Sequence, residues 1–338
     1  MVRVGIIANP AAGKDVRRLV TEATIVTAPE KIGLLRRALV GLDATPVDEV
    51  LYLRDSMHLV DQALQALPQQ RRPRFAMRPL DLVLRHSPDD TRAAAALMAE
   101  QDVRAILVLG GDGTSRLVAA EIGDVPMLPV STGTNNAFPH WTEATAAGLA
   151  LGFVASGYAG EAVRPRKRIE LRQGSVLKEI ALVDAVILRP ESTAVLAVWE
   201  PDDVESVVVT QGLPETVGWS AAVGAALPTG VEEPRGAHLR LDPEASRRIR
   251  AAIAPGLIAE LGVAAAHELP YDEPVSITGP RTIALDGEPL WRLPAGQEAT
   301  LTVTPHGPRV IEIAAALGRA AKERAFWLPP PPTPTKAN

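Results

Sequence analysis

The first third of the chain alternates short apolar runs rich in β-branched residues with longer stretches in which apolar residues recur at helical spacing. This alternation is typical of a parallel sheet whose strands are joined by helices. It predicts a doubly wound α/β domain at the N-terminus. The predicted strands are residues 2–8, 47–54, 80–86, 104–109 and 127–131, and the predicted helices are residues 13–23, 30–42, 57–67, 89–101 and 114–122.

Beyond about residue 160 the pattern changes, because strand-like runs follow one another with turns between them and few helical windows. Such a pattern predicts a second, mostly β domain. Its predicted strands are residues 168–172, 178–188, 194–200, 206–210, 274–278, 282–285 and 299–304, with one helix at 243–261.

The chain therefore divides into an α/β domain at 1–157, a β domain at 158–306 and a C-terminal segment at 307–328. Within that segment, residues 310–326 are apolar at helical spacing and are predicted to return to the first domain as a helix. The proline-rich residues 329–338 lack core side chains, so we expect a disordered tail.

Composition excludes several classes of function. With 35 basic and 40 acidic residues, the net charge of −5 supplies no positive field for a nucleic acid. The absence of cysteine excludes disulfides, thiolate zinc sites and cysteine nucleophiles. No run approaches the roughly 18 apolar residues that span a bilayer. We expect a cytoplasmic protein that acts on a small molecule and has no stable membrane association.

The strongest local feature is a glycine loop that directly follows the predicted strand at 104–109 and consists of Gly110, Gly111, Asp112, Gly113 and Thr114. Three glycines let the backbone approach a ligand closely and direct several N–H groups at an anion beside a helix N-terminus. Phosphate is the natural ligand. The Asp112 carboxylate would repel phosphate unless a metal ion intervenes or the acid accepts a proton from an attacking hydroxyl. The alternative is that Asp112 or Thr114 caps the following helix.

Two further loops follow predicted strands, and strand ends in such sheets open onto one ligand crevice. Each loop alone also fits an ordinary turn. The candidate nucleotide-binding residues in these loops are Asn9, Pro10, Gly13 and Lys14 after the first strand, and Thr132, Gly133, Asn135 and Asn136 after the fifth. A dinucleotide fingerprint fails at the glycine loop, because Arg116 stands where the third glycine is required.

At these residues the chain resembles the superfamily that contains NAD kinases, diacylglycerol kinases and sphingosine kinases. Residues 110–114 reproduce its GGDGT loop, and Asn9-Pro10 with Gly13-Lys14 resembles the Asn-Pro loop of the lipid-kinase branch. Asp286-Gly287-Glu288 occupies the place of the late Asp-Gly-Glu element. The resemblance covers nearly the whole folded chain and implies an α/β domain, a β-sandwich domain and a C-terminal segment returning to the first.

The substrate motifs resemble NAD kinases less well. Val183 and Asp184 stand where NAD kinases carry an Asn-Glu pair, and few polar residues remain in the stretch around Thr216. The run at 132–139 is most similar to the acetoin-catabolism X protein branch. The resemblance implies substrate-binding roles for Asp184, Thr216 and Asp286.

The reaction class that the resemblance implies is phosphoryl transfer from ATP, with magnesium, to a hydroxyl of a small soluble acceptor. NAD(H) is the best single candidate for that acceptor. Asp112 is the first candidate for the catalytic base and Glu288 is its rival. A lipid kinase and a nucleotide-binding regulator without catalysis are the alternatives. The resemblance also implies that the protein forms a homodimer or homotetramer.

Overall fold

The computed structural model describes residues 1–13, 22, 26–133, 136–158, 160–190 and 200–327. The strands are β1 Arg3–Ala8, β2 Glu49–Tyr52, β3 Ala76–Pro79, β4 Ile106–Gly110, β5 Met127–Ser131, β6 Val163–Pro165, β7 Arg168–Gln173, β8 Val176–Ala181, β9 Asp184–Leu188, β10 Val204–Val209, β11 Arg235–Leu241, β12 Arg248–Ala254, β13 Leu257–Pro270, β14 Val275–Thr278, β15 Arg281–Leu285, β16 Glu288–Leu293, β17 Glu298–Thr304 and β18 Arg309–Ile311. The α-helices are α1 Ala28–Asp43, α2 Leu59–Gln65, α3 Pro88–Glu100, α4 Asp112–Ala119, α5 Ala144–Ala155, α6 Trp219–Ala226 and α7 Ile313–Lys322.

A seven-stranded sheet in the order β3-β2-β1-β4-β5-β18-β6 forms the centre of the first domain. Strands β1 to β5 pair in parallel, as the alternating pattern predicts. Side chains of β1 alternate between two cores, with Ile6 on the face covered by α1, α2, α5 and α7 and Ile7 on the other. The predicted doubly wound domain is confirmed.

Helix starts follow local chemistry. Thr27 caps α1 and forms a capping box with Glu30, so the helix begins at Ala28. Hydrogen bonds from the Thr27 backbone and side chain lower the pKa of Glu30. The predicted helices at 30–42, 57–67, 89–101 and 114–122 correspond to α1, α2, α3 and α4. The helix predicted at 13–23 falls mostly on residues 14–21 and 23, which lie outside the described residues.

The strand predicted at residues 80–86 is wrong, because β3 is formed by Ala76–Pro79. Its parallel ladder with β2 runs from Glu49 opposite Ala76 to Tyr52 opposite Pro79 and ends when β2 ends. The alternating leucines that follow β3 resemble a strand in sequence. They instead pack as an irregular segment against the core that contains Met98.

Helix α5 was not predicted from the sequence, because its alanines and glycines show no apolar stripe. The helix is buried on nearly every side, and a Cβ added at Gly148 would lie 2.0 Å from the Ala38 carbonyl oxygen of α1. Small residues at both crossing surfaces let α1 and α5 approach this closely. A helix that is buried all round lacks the amphipathic period on which sequence reasoning depends.

The second domain is a sandwich of a seven-stranded sheet, β12-β13-β11-β10-β9-β15-β16, and a four-stranded sheet, β14-β17-β7-β8. Ile169 and Leu301 of the smaller sheet pack against Val208 and Ile283 of the larger. Helix α6, which the sequence did not predict, covers the outer face of the larger sheet. The predicted β-sandwich is confirmed.

Two predicted elements of this domain are wrong. The helix predicted at 243–261 is the hairpin of β12 and β13, which turns at Gly256 with φ +75°. Its alanines favour a helix locally, but their pairing with β13 overrides that propensity. The single strand predicted at 178–188 is divided into β8 and β9, which belong to different sheets. The break lies where the Asp286 carboxylate accepts hydrogen bonds from the Leu182 and Val183 N–H groups.

Of the strand predicted at 194–200, residues 194–199 lie outside the described residues, and Glu200 is not in a strand. The predicted tail at 329–338 also lies outside them.

The C-terminal segment returns to the first domain, as predicted. Strand β18 inserts between β5 and β6 of the first sheet, and α7 packs on α5 through Ala316 and Ala320. The segment begins as a strand, so the helix starts at Ile313 instead of residue 310. Along the described part of the chain, no helix has the length and apolar character to cross a membrane.

Replacing His238 should reduce the pH dependence of stability. His238 is buried opposite His267, and burial, His267 and Arg240 lower its pKa to about 4. The unfolded state binds a proton near the usual pKa, so stability from His238 is complete above about pH 6.5 and is lost as pH falls towards 4.

We expect the difference in unfolding free energy between wild type and His238→Gln to shrink by roughly 2 kcal/mol from pH 7.5 to pH 5 in urea titrations. His306→Gln, at an exposed position, is the control. An unchanged difference would contradict the assignment.

Candidate functional site

The carboxyl ends of β1, β2 and β4 meet at one edge of the first sheet, where they border a cavity of about 210 Å³. Loops after these strands form its wall, and Glu288 of the second domain closes one side. Four of the residues predicted from the loops line it together with Glu288: Asn9, Pro10, Gly113 and Thr114.

The glycine loop passes from β4 directly into α4. Gly111 is the N-cap residue of α4, and no side chain caps the helix, so the capping alternative for Asp112 and Thr114 is not observed. A Cβ at Gly111 would lie 2.8 Å from Asn136 Oδ1, and one at Gly113 would lie 2.8 Å from Glu288 Oε1. Gly111 has φ −102°, so close approach of neighbouring groups, and not a left-handed backbone, requires glycine here.

The first glycine is also required by packing. A Cβ at Gly110 would lie 2.4 Å from the Thr114 Cβ atom. The loop after β1 fixes the Thr114 side chain, because Asn9 donates a hydrogen bond of 2.9 Å from Nδ2 to Thr114 Oγ1. The N–H groups of the first turn of α4 have no intrahelical partners, as at any helix start. Together these features leave a small, uncapped helix N-terminus at the cavity wall.

Asp112 holds two loops together. Its carboxylate accepts hydrogen bonds from the Phe138 N–H at 2.9 Å and the Ala137 N–H at 3.1 Å. These donors belong to the loop between β5 and α5. The carboxylate thus faces the β5–α5 loop, and Asp112 is not part of the cavity wall that contains Glu288.

The loop after β1 is closed by its own asparagine. Asn9 Oδ1 accepts the Ala11 N–H at 2.8 Å, and Gly13 has φ +81°. A Cβ at Gly13 would lie 3.1 Å from the Thr132 carbonyl oxygen, so this loop contacts the loop after β5. The predicted residue Lys14 lies outside the described residues.

A buried lysine that the sequence reasoning missed organises the same loop. Lys31 of α1 is 2% exposed, and its ammonium group donates to the carbonyl oxygens of Asn9, Pro10 and Ala12 at 3.0, 3.1 and 2.6 Å. Three donors on one ammonium match three carbonyls of a tight loop. A signal was present in the sequence, because Lys31 lies on the apolar face of α1 with Leu34 and Leu35.

The loop after β5 lies against the glycine loop. The buried Thr132 donates its N–H to the Gly110 carbonyl oxygen at 3.0 Å. Asn136 donates from Nδ2 to Ser131 Oγ at 2.6 Å, and a Cβ at Gly133 would lie 2.5 Å from Asn136 Oδ1. Asn135 lies outside the described residues. The three predicted loops therefore meet at one edge of the sheet.

Glu288 brings the second domain to this edge. Its side chain is 49% exposed, and Oε2 accepts a hydrogen bond of 2.7 Å from Arg116 Nη2. It follows the turn at Asp286 and Gly287, whose φ values of +50° and +81° are those of a tight hairpin turn. This turn between β15 and β16 delivers Glu288 to the cavity wall.

Asp286 is a structural centre and not part of the cavity wall. Its fully buried carboxylate accepts N–H groups from Leu182, Val183 and Asp184 at 2.9, 2.8 and 3.2 Å. Burial raises the pKa of Asp286, while Arg116 and the three N–H donors act in the opposite direction.

The other two predicted substrate-binding residues also lie away from Glu288. Asp184 is buried within β9, and its carbonyl oxygen accepts the Asp286 N–H at 3.0 Å. Thr216 donates from Oγ1 to the Leu213 carbonyl oxygen at 2.7 Å in the loop before α6. Neither residue lines the cavity beside Glu288.

The ends of β2 and β3 contribute residues that the sequence reasoning missed. Asp55 accepts hydrogen bonds from the Met57 and Leu59 N–H groups. Burial raises the pKa of Asp55, although these hydrogen bonds act to lower it. Asp90 accepts the Arg85 and His86 N–H groups at 2.8 Å. The rule that ligands bind at strand ends, applied to β2, would have pointed to Asp55. The lining also includes Ser56, His86 and Ser87.

A second cavity of about 570 Å³ lies between the domains, beside Phe138 and Trp141. Gln211 reaches across it and donates to the Ala137 carbonyl oxygen at 2.8 Å. The basic run at 164–168 contributes Arg166, which pairs with Glu232 and Glu312. The charge of Arg166 is therefore compensated within the protein.

Among the described residues, no three His, Cys, Asp or Glu side chains are grouped as a metal site. The carboxylates of Asp55 and Asp90 in the cavity wall already accept backbone N–H groups. A metal ion would therefore have to arrive with a ligand that supplies most of its coordination.

Comparisons with known proteins agree with this architecture. Residues 4–158 match the family model described as the ATP-NAD kinase N-terminal domain, and residues 167–306 match the acetoin catabolism protein X C-terminal domain. The chain is 35% identical over 341 residues to acetoin catabolism protein X of Cupriavidus necator, covering 97% of this chain and 95% of that protein. It also resembles yeast NADH kinase complexed with NADH, with a TM-score of 0.53 and 13% identity, covering 98% of this chain and 90% of that one.

Replacing Lys31 with Met should destabilise the protein by about 1–3 kcal/mol, because three carbonyl groups of the loop lose their donor. Urea unfolding measures this change. Lys322→Met, at an exposed position of α7, is the matched control and should change stability by less than about 0.5 kcal/mol. Equal effects of the two substitutions would show that the Lys31 hydrogen bonds do not hold the loop.

Proposed function

The chain belongs to the acetoin catabolism protein X family and carries an NAD kinase-like N-terminal domain, and from this premise we propose that it transfers the γ-phosphoryl group of ATP to a hydroxyl of a small acceptor. NAD(H) is the first acceptor to test. One observation carries the proposal: the glycine loop, the Asn9 loop and a carboxylate from the second domain border the same cavity.

The apolar part of the cavity suits the base of a nucleotide. Leu53, Leu84 and Leu117 line it beside the polar Ser56 and His86. Its volume of about 210 Å³ is below the roughly 300–1,000 Å³ of most ligand pockets. A bound nucleotide would therefore extend out of the cavity along the glycine loop.

The phosphates would lie at the N-terminus of α4. Its first-turn N–H groups and the helix dipole favour an anion. The Asn9–Thr114 hydrogen bond fixes the two loops relative to each other. Prepositioned donors of this kind stabilise the charge that develops in phosphoryl transfer.

Magnesium is compatible with the cavity as part of a nucleotide complex. Mg²⁺ takes most of its ligands from phosphates and water and needs only one or two carboxylates. Asp55 and Asp90 are the acidic residues of the first domain in the cavity wall. A bound ion would offset the negative charge of the triphosphate.

Glu288 is the residue we propose as the base. It borders the cavity, and its half-exposed carboxylate is held by Arg116. In the proposed step, the acceptor O–H proton passes to Glu288 as the acceptor oxygen bonds to the γ-phosphorus, and the bond from that phosphorus to the β-phosphate oxygen breaks to release ADP. Because the Asp112 carboxylate accepts two N–H groups, we propose that Asp112 positions the loop at 137–138 and is not the base.

Glu288→Gln should lower kcat by about 10²–10⁴-fold, the usual contribution of a general base, with the ATP affinity unchanged. Asp112→Asn should instead lower stability by about 1–3 kcal/mol, because the amide cannot accept both N–H groups equally well. Steady-state assays with ATP and NAD, NADH, diacylglycerol or small diols measure the first change, and urea unfolding measures the second.

Glu298→Gln, an identical change at an exposed position of the second domain, is the control and should leave kcat unchanged. If Asp112→Asn lost turnover but not stability, and Glu288→Gln remained active, then Asp112 and not Glu288 would be the base. ATP binding by the wild type without turnover of any acceptor would favour a nucleotide-binding regulator.

A further inference from the structure

Arg116 connects the helix of the glycine loop to the second domain. It lies on α4, two residues after Thr114, and its side chain is 1% exposed. It forms ion pairs with Glu288 at 2.7 Å, Glu179 at 3.5 Å and Asp286 at 3.7 Å. All three carboxylates belong to the second domain.

The arrangement requires arginine. The planar guanidinium group can face three carboxylates at once, which the single ammonium of lysine cannot do in the same way. Without this cation, the buried Asp286 and the nearby Glu288 would repel each other in a region of low dielectric constant. Arg116 therefore determines where the Glu288 side chain can lie.

The first turn of α4 contacts Glu288 at two points. Gly113 provides the space for it, since a Cβ there would lie 2.8 Å from Glu288 Oε1. Arg116, three residues later on the same helix face, holds Oε2. The helix whose N-terminus borders the cavity thus also aims the carboxylate from the second domain.

We propose that Arg116 is a positioning residue that orients Glu288 over the glycine loop and couples the two domains. The effect of Arg116 on turnover rests on the proposed function. The restraint that Arg116 places on the turn at 286–288 does not depend on that function. Arg116 acts through Glu288 and contacts no reacting atom.

Arg92 offers a matched control. It also joins the domains, with bonds of 2.8 Å to Glu179 and 3.1 Å to Glu121, but it does not contact Glu288. A role that is merely structural would be shared by both arginines. A positioning role belongs to Arg116 alone.

The test combines turnover and amide exchange in Arg116→Met, Arg116→Lys, Arg92→Met and Glu288→Gln. We expect Arg116→Met to lower kcat by about 10–100-fold with the ATP dissociation constant within about threefold of wild type. In the Glu288→Gln background, Arg116→Met should cause no further loss, because the two residues act as one unit. Arg92→Met should change kcat by less than about threefold.

Native-state hydrogen exchange tests the restraint without any activity. The N–H groups of residues 182–184, which bind Asp286, should exchange faster in Arg116→Met than in Arg92→Met. Arg116→Lys keeps the charge and replaces the methionine variant in this test if that variant does not fold. Its exchange rates at residues 182–184 should lie between those of wild type and Arg116→Met.

The outcomes separate the two proposals. Exchange at 182–184 that is unchanged in both Arg116 variants, or a kcat loss that adds fully to that of Glu288→Gln, would overturn the role of Arg116. Faster exchange in a protein whose wild type turns over no acceptor would retain the restraint while the proposed kinase function fails.

Discussion

The buried ionic cluster around Asp286 is the constraint on which the site depends. Asp286 accepts three backbone N–H groups at the point where β8 ends and β9 begins, and its carboxylate faces the guanidinium group of Arg116. The same carboxylate thus breaks a strand, fixes the turn that presents Glu288 and attaches the second domain to α4. A buried carboxylate is tolerated because its hydrogen bonds and its cation are supplied together.

A few polar side chains also hold the loops of the first domain in place. Lys31 binds three carbonyls of one loop, Asp112 binds two N–H groups of another, and Asn9 joins the first loop to the glycine loop. Each contact satisfies backbone groups that a tight loop cannot satisfy by itself. The loops are therefore preorganised before any ligand binds, which suits a site whose chemistry depends on placing charged groups.

Sequence pattern predicted the domain types, and the rule for strand ends predicted the meeting of three loops. The sequence pattern gave wrong predictions where a residue distant in the chain determines the local structure. Residues 178–188 resemble one strand, and only Asp286, about a hundred residues later, divides them. Helix α5 has no stripe because it is buried all round, and the alanines of β12 favour a helix until β13 pairs with them. Arg116 was missed as a site residue for the same reason, since its partners lie far along the chain. Lys31 was missed although its place on the apolar face of α1 was visible in the sequence.

We propose that the glycine loop and Glu288 together form one nucleotide site. A crystal structure with Mg²⁺ and a non-hydrolysable ATP analogue would show whether they do. We expect phosphate oxygens within about 3 Å of the N–H groups at the start of α4, with the Glu288 carboxylate facing the terminal phosphate. An analogue bound in the interdomain cavity beside Trp141, with the glycine loop making no contact to phosphate, would contradict it.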